Sequence, residues 1–328
     1  MRAVQVTRLD GPQAVQVADV PAPNGDDMVV IDVYAAGVSF PDVLLTRGLY
    51  QYKPPPPFIL GTEVAGVVRS APSGAHIRAG DRVAALTMQT GGMADVVAAQ
   101  LETVFALPDS VSFHEGAGLL FNDFTVHFAL RQRGRLAPGD TVMVHGAAGG
   151  IGTSALRLAR AFGAARTIAV VSTADKIEAA KSAGATDVVL ADGFKESVRE
   201  LTDGRGVDIV LDPVGGDRFT DTLRSVAPGG RVLVVGFAAG EIPTVRVNRL
   251  LLNNIDVVGV GWGPWIFGNP GYLAQQWAEI GPYLAAGKIS APQPTTYPLE
   301  KAAEALASLE NRTANNKVVL TLRPQAHA

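Results

Sequence analysis

The run 141-TVMVHGAAGGIG-152 decides how this chain is to be read. Thr141 to Val144 is β-branched and apolar, the pattern of a buried parallel strand. The chain then breaks into small residues and opens onto TSALRLARAFG, where Ala155, Leu158, Ala159 and Phe162 recur at helical spacing. Strand, glycine turn and helix together bring a diphosphate to a helix N-terminus. There the first backbone N–H groups have no intrahelical partner and the helix dipole is positive. Glycine is needed because a Cβ would hold the phosphates away from the backbone. A glycine turn alone is weak, since many such turns bind nothing, but the next strand adds to it. Thr167 to Val171 ends at Ser172, where an NAD-preferring site carries an acid for the ribose 2′-hydroxyl. Here stand Ser172, Thr173, Ala174, Asp175 and Lys176. A hydroxyl with a lysine four residues on suits the 2′-phosphate of NADPH, the alternative being that Lys176 is a solvated helix residue.

Outward from this stretch, the texture of the chain falls into three parts. Residues 1–122 read as short strands punctuated by turn residues, among them Arg2 to Val6, Met28 to Ala36, Val64 to Ala71 and Arg82 to Ala85, with one helical piece from Pro41 to Thr46. They predict a compact, mostly antiparallel barrel. Residues 123–265 alternate strand and helix. Six strands are expected, beginning at Thr141, Thr167, Asp187, Val207, Arg231 and Ile255, and they make a doubly wound parallel sheet. Glycines gather at the carboxyl ends of these strands, where backbone must approach a ligand. Residues 266–328 hold too little core to stand alone, so they are expected to return to the first part. The alternating region is then an insertion, with the active cleft between two lobes.

Composition narrows the function. Twenty-eight basic residues against 31 acidic ones leave a net charge of −3, which points to neither a nucleic-acid nor an anionic-membrane partner. No stretch has the length of a membrane span, and the N-terminus lacks a signal-peptide pattern, so a cytoplasmic protein is expected. The absence of cysteine excludes disulfides, thiol nucleophiles and thiolate metal sites.

The motifs GVSFPDVLLTRGLY (37–50), LGTEVAGVV (60–68), GDRVAAL (80–86), VHGAAGGIG (144–152), DIVLDPVGG (208–216) and GGRVLVVG (229–236), in this order, resemble the medium-chain dehydrogenase/reductase superfamily. More narrowly, the chain is similar to its zinc-free NADPH:quinone oxidoreductases, the zeta-crystallin-like family. The resemblance implies an α/β protein made of a GroES-like β-barrel catalytic domain, 1–122 and 266–328, and an inserted Rossmann domain, 123–265. Zinc-dependent members hold the catalytic metal on a cysteine, a histidine and another cysteine. Here the first position matches Ser39 and the histidine position matches Thr62, so no metal is expected. Without a Lewis acid, hydride is expected to go to an acceptor that delocalises charge, a quinone or an enone.

Position by position, the resemblance implies that Ala148, Gly149, Gly150 and Ile151 face the diphosphate. Ser172 and Lys176 would face the 2′-phosphate. Gly236, Phe237, Asn122 and Thr125 would lie by the nicotinamide, although the family more often has an aromatic where this chain has Asp123. A tyrosine that many relatives place on the cofactor is also missing from LADG at 190–193. Ser39, Tyr50, Tyr52 and Trp262 would line the substrate pocket. Tyr50 matches the proton donor of enoyl thioester reductases, so it either protonates the acceptor as general acid or only shapes the pocket. Trp262, Trp265 and Phe267 read as an aromatic cluster, either core or a wall for a planar acceptor. His145 reads as a packed histidine and Glu63 as structural. The expected activity is NADPH-dependent quinone reduction, with enoyl thioester reduction and a non-catalytic NADPH-binding protein as alternatives. The apolar run within 242–260 supplies an edge for a homodimer.

Overall fold

The computed structural model describes residues 1–88 and 90–324, which form two compact units. One holds Met1–Phe121, Leu273–Ala286 and the chain from Ala291 onward. The other holds Asn122–Tyr272 with Gly287–Ser290.

In the second unit six strands form one parallel sheet. Across it they run Asp187–Leu190, Arg166–Val171, Thr141–His145, Val207–Asp212, Val226–Val234 and Asp256–Gly259. In chain order this is 3-2-1-4-5-6, the dinucleotide-binding arrangement, whose direction reverses between the first and fourth strands. The middle of the central strand is apolar because both its faces are covered; Val142, Met143 and Val144 are fully buried. Helices Gly150–Ala161, Phe194–Leu201 and Phe219–Arg224 lie among the connections. The core gathers Met143, Ile168, Phe194, Val198, Val210 and Phe219. The fifth strand begins at Val226, ahead of the expected Arg231. Its Ala-Pro-Gly-Gly segment is accommodated by a register shift against the fourth strand between Val207 and Ile209.

The first unit is built on antiparallel pairing. A seven-stranded sheet runs Thr295–Pro298, Val318–Thr321, Val29–Val38, Glu63–Ser70, Arg82–Leu86 and Val104–Ala106, with Val96–Ala99 also on Val29–Val38. A three-stranded sheet joins Val15–Asp19, Arg2–Val6 and Phe58–Ile59. The strands therefore wrap one core as two sheets, mostly antiparallel as the sequence leads one to expect. Register shifts at Val30/Ile31 and Val33/Ala35 bend the long strand around that core. Leu299, Ala302, Leu306, Val318 and Leu320 pack into the same cluster as Val4, Ile31 and Leu60, so the late segment supplies one flank of the early core.

Candidate functional site

The glycine turn sits at the switch point of the parallel sheet. After His145 the chain reverses over Gly146, at φ 58°, and Gly149 caps the helix Gly150–Ala161 in extended conformation. Gly149 N–H donates to the Gly146 carbonyl at 3.0 Å, and Thr153 N–H donates to the Gly149 carbonyl at 2.8 Å. The amides of Gly150 and Ile151 lie in the first turn, where helix geometry provides no acceptor. A Cβ on Gly152 would fall 2.3 Å from the Gly146 oxygen and 2.5 Å from the Ala147 Cα, so the helix rests directly on the turn. Ala148 is buried, Gly149 to Ile151 are half-buried, and no side-chain carboxylate stands in the turn. This cradle of backbone donors fits a dinucleotide diphosphate.

The other residues expected around a dinucleotide lie in the same unit. Ser172 is exposed just past the second strand, and Lys176 ends the 3₁₀ turn Ala174–Lys176 that follows. Gly236 and Phe237 follow the fifth strand, and Phe237 is 38% exposed. Their loop is hydrogen-bonded to the loop after the fourth strand: Ala238 N–H donates to Pro213 at 3.0 Å and Ala239 N–H to Val214 at 2.9 Å. The Asp212 carboxylate holds that neighbouring loop by accepting from Val214 N–H at 2.8 Å and Gly215 N–H at 2.9 Å.

Asn122 and Thr125 are buried on the helix Leu120–His127. Between them Asp123 accepts from the Ser154 hydroxyl at 2.5 Å and pairs with Arg157 at 2.7 Å. Arg157 also donates to the Ser290 carbonyl at 2.6 Å. The residue that departs from the family's aromatic is thus one half of a buried ion pair. It fastens the segment carrying Asn122 and Thr125 to the helix that opens on the glycine turn.

Trp262 is buried edge-on to Phe124, and Trp265 packs on Phe128 at 5.5 Å. Phe267, by contrast, is 64% exposed, so the aromatic group draws its other rings from Phe124, Phe128 and Tyr272 instead. His145 bonds the Thr222 hydroxyl at 2.9 Å and stands edge-on to Phe194. Burial pushes its imidazole below the ordinary range, so it is neutral at pH 7.

In the first unit, Ser39 precedes the helix Phe40–Thr46. Its backbone N–H donates to Asp42 Oδ2 at 2.8 Å, while Gly61 N–H donates to Oδ1 at 3.1 Å. One carboxylate thereby clasps the Ser39 and Thr62 segments together. Burial pushes the Asp42 carboxyl up to about 6, against the opposing effects of its two amide donors and the Lys317 ammonium. Glu63 is fully buried; it pairs with Lys317 Nζ at 2.6 Å and accepts from Phe121 N–H at 2.9 Å. Lys317 Nζ in turn donates to Ser39 Oγ at 2.7 Å. The Thr62 hydroxyl is buried and has no hydrogen-bond partner among the described residues. A cavity of about 400 Å³ is lined by Asp42, Thr62, Tyr52, Phe58, Ile59 and Met88 among others. Tyr52 is half-exposed at its rim. Tyr50 is held protonated, its phenol pushed up first by burial and then by the negative charge of Asp42. Among the described residues no group of His, Asp and Glu side chains is placed to hold a metal ion.

Residues 25–109 match the alcohol dehydrogenase GroES-like domain, and residues 150–275 match the zinc-binding dehydrogenase family. Quinone oxidoreductase-like protein 2 of Rattus norvegicus is 34% identical over 325 residues, covering 98% of this chain and 92% of the relative. The chain belongs to the quinone oxidoreductase family of the medium-chain dehydrogenases/reductases. It is an oxidoreductase of that family. Among solved structures, a probable oxidoreductase from Mycobacterium abscessus is similar with a TM-score of 0.90 and 40% identity, over 98% of this chain and 99% of the other. The Escherichia coli quinone oxidoreductase complexed with NADPH matches with a TM-score of 0.88 and 29% identity, over 98% and 100% of the two chains.

Family motifs pointed to Ser39 and Tyr50, but Asp42, Arg157 and Lys317 were not singled out. The Ser39-x-x-Asp42 spacing is a helix-start signature that would have found Asp42. Nothing local to Lys317 or Arg157 names its partner.

Proposed function

We propose that this chain transfers hydride from NADPH to a quinone without a metal ion. The observation that carries this reading is the glycine turn at the switch point, with Ser172 and Lys176 at the end of the adjacent strand. The turn supplies backbone donors for the diphosphate, and Lys176 supplies a cation for the 2′-phosphate. NADPH, when bound, supplies the hydride. Ala148, Gly149, Gly150 and Ile151 hold the diphosphate, while Asn122, Thr125, Gly236 and Phe237 orient the nicotinamide. Ser39, Tyr50, Tyr52 and Trp262 face the acceptor. The acceptor's oxygen gains charge as it is reduced, and the Tyr50 phenol, held protonated, gives the proton.

A second reading, reduction of an enoyl thioester, is favoured by that same protonated phenol. Turnover of NADPH with a simple benzoquinone and with a short enoyl-CoA separates the two, and parallel assays with NADH test the cofactor. Loss of NADPH in the presence of the quinone alone supports quinone reduction. Turnover of the thioester alone moves the assignment to the second reading, and silence with both leaves a protein that binds NADPH without reducing either.

A homodimer is supported by the sheet's edge strand Asp256–Gly259 and by the exposed side chains of Leu251, Leu252 and Val257 nearby. Among the described residues no helix is long and apolar enough to cross a membrane. A Val257→Lys variant that shifts the light-scattering mass of the protein from two chains to one would support this homodimer in solution.

A further inference from the structure

We propose that the Ser39 hydroxyl, backed by the Lys317 ammonium, is the hydrogen-bond donor that takes up negative charge on the acceptor's oxygen during reduction. This rests on the reading that Ser39 faces the acceptor. Four observations lead to it. Ser39 Oγ spends a lone pair on Lys317 Nζ at 2.7 Å, which turns its own hydrogen away from the lysine. No described residue accepts that hydrogen, although Ser39 is only 6% exposed. Its backbone N–H is already committed to Asp42, whose other oxygen is committed to Gly61, so the hydroxyl is held on a fixed frame beside the cavity that Asp42 lines. Lys317 is itself almost wholly buried, and its second partner, Glu63, is fully buried. An ammonium in such surroundings acts on its neighbours through little water.

Burying Lys317 and Glu63 is costly, and an apolar pair of the same bulk would often serve stability as well. The lysine's contact beyond Glu63 distinguishes it from a structural pair, because it reaches the serine whose proton is unclaimed. A hydroxyl that accepts from a cation is also a stronger donor. The chemistry balances without moving a proton through either group. Hydride brings two electrons and one hydrogen to the acceptor, one of the acceptor's π bonds opens, and its electron pair settles on the oxygen. That oxygen is met by the Ser39 O–H and the Lys317 charge, and its proton comes from Tyr50 or water. Ser39 and Lys317 keep their protons throughout. The nicotinamide leaves oxidised and the acceptor leaves with two hydrogens.

Ser39→Ala, Ser39→Thr and the charge-neutral double variant Glu63→Gln/Lys317→Met separate this role from a structural one. Ser39→Ala keeps the Glu63–Lys317 pair, and the double variant removes both charges of that pair together, so both are expected to fold with unchanged NADPH binding. Steady-state rates are measured with quinones of graded electron affinity. Loss of an oxyanion donor costs roughly 10²-fold to 10³-fold in kcat. Ser39→Ala and the double variant should lose about that factor with the poorest acceptor and progressively less with electron-poor quinones, which need less help to carry charge. The KM for NADPH should stay within about twofold, and Ser39→Thr should recover most of the rate. An equal loss with every quinone, a loss that follows NADPH affinity, or no loss at all would overturn the assignment. In those cases the wild type still turns over, so the functional reading survives. A wild type that binds NADPH but reduces no quinone or enone overturns both together.

Discussion

Removing the Asp123 carboxylate tests how the nucleotide-binding unit is held together. In Asp123→Ala, Arg157 keeps only the Ser290 carbonyl, and its side chain stays almost wholly enclosed. Both partners are buried, so solvent screening gives little discount. Stranding a buried charge in this way costs about 3 to 5 kcal/mol, and the Ser154 hydroxyl adds about 1 kcal/mol for its lost acceptor. For a unit of this size that corresponds to a fall of roughly 8 to 24 °C in melting temperature. The double variant Asp123→Leu/Arg157→Met removes the charge along with its partner and should recover most of the loss, as buried pairs replaced by apolar groups commonly do. Two of the three tryptophans, Trp262 and Trp265, pack against Phe124 and Phe128 close to this pair. Urea titration followed by their fluorescence therefore reports on the right region. A double-mutant cycle over the two positions should give a coupling of several kcal/mol. Asp123→Ala costing under about 1 kcal/mol, or a double variant as unstable as the summed singles, would refute the argument that this pair fastens the two helices.

Gly152→Ala forces a Cβ to 2.3 Å from the Gly146 oxygen. It should cost about 1 to 3 kcal/mol and weaken NADPH at least tenfold in a fluorescence titration. Lys176→Ala should cut the preference for NADPH over NADH by roughly tenfold, leaving kcat/KM for NADH nearly unchanged, since NADH carries no 2′-phosphate for the lysine to meet. Asp42 has a folded-state pKa of about 6, above its ordinary 3.8, so the folded chain binds this proton more tightly than the unfolded one. Its contribution to stability is full below about pH 4, falls as the pH rises through about 6, and is level beyond that. Melting temperatures across this range should fall in the wild type, and this component of the fall should vanish in Asp42→Asn.

Local signals made the parallel-sheet unit legible. Its strands are short apolar runs, several of them leading into a glycine-bearing turn. Several helices escape the same reading, Leu120–His127 and Trp262–Gly268 among them. Leu120–His127 buries polar residues, Asn122, Asp123, Thr125 and His127, alongside its apolar ones, so it shows no clean amphipathic period. Trp262–Gly268 begins with Trp-Gly-Pro, which reads as a loop; the proline is tolerated because it falls in the first turn, where its missing N–H breaks no helical bond. Sequence proximity groups Phe267 with the aromatic residues Trp262 and Trp265, but the helix turns its ring outward. The ion pairs were hidden for a different reason. Asp123 and Arg157 are 34 positions apart, and Ser39 and Lys317 are 278 apart. The identity of such partners is fixed by how the sheets and helices pack, which no window of sequence contains.

That last separation has a consequence for the newborn chain. At about 5 to 20 residues per second, roughly 15 to 55 s pass on the ribosome between the synthesis of Ser39 and that of Lys317. During this interval the Glu63 carboxylate has no cation to accompany it indoors, and the sheet lacks the strand Val318–Thr321 that lies against Val29–Val38. The early half must therefore wait, loosely gathered, for a lysine made 278 residues after Ser39. Any event that stops synthesis before that residue leaves a chain able to fold its glycine turn but unable to set an ammonium beside the serine.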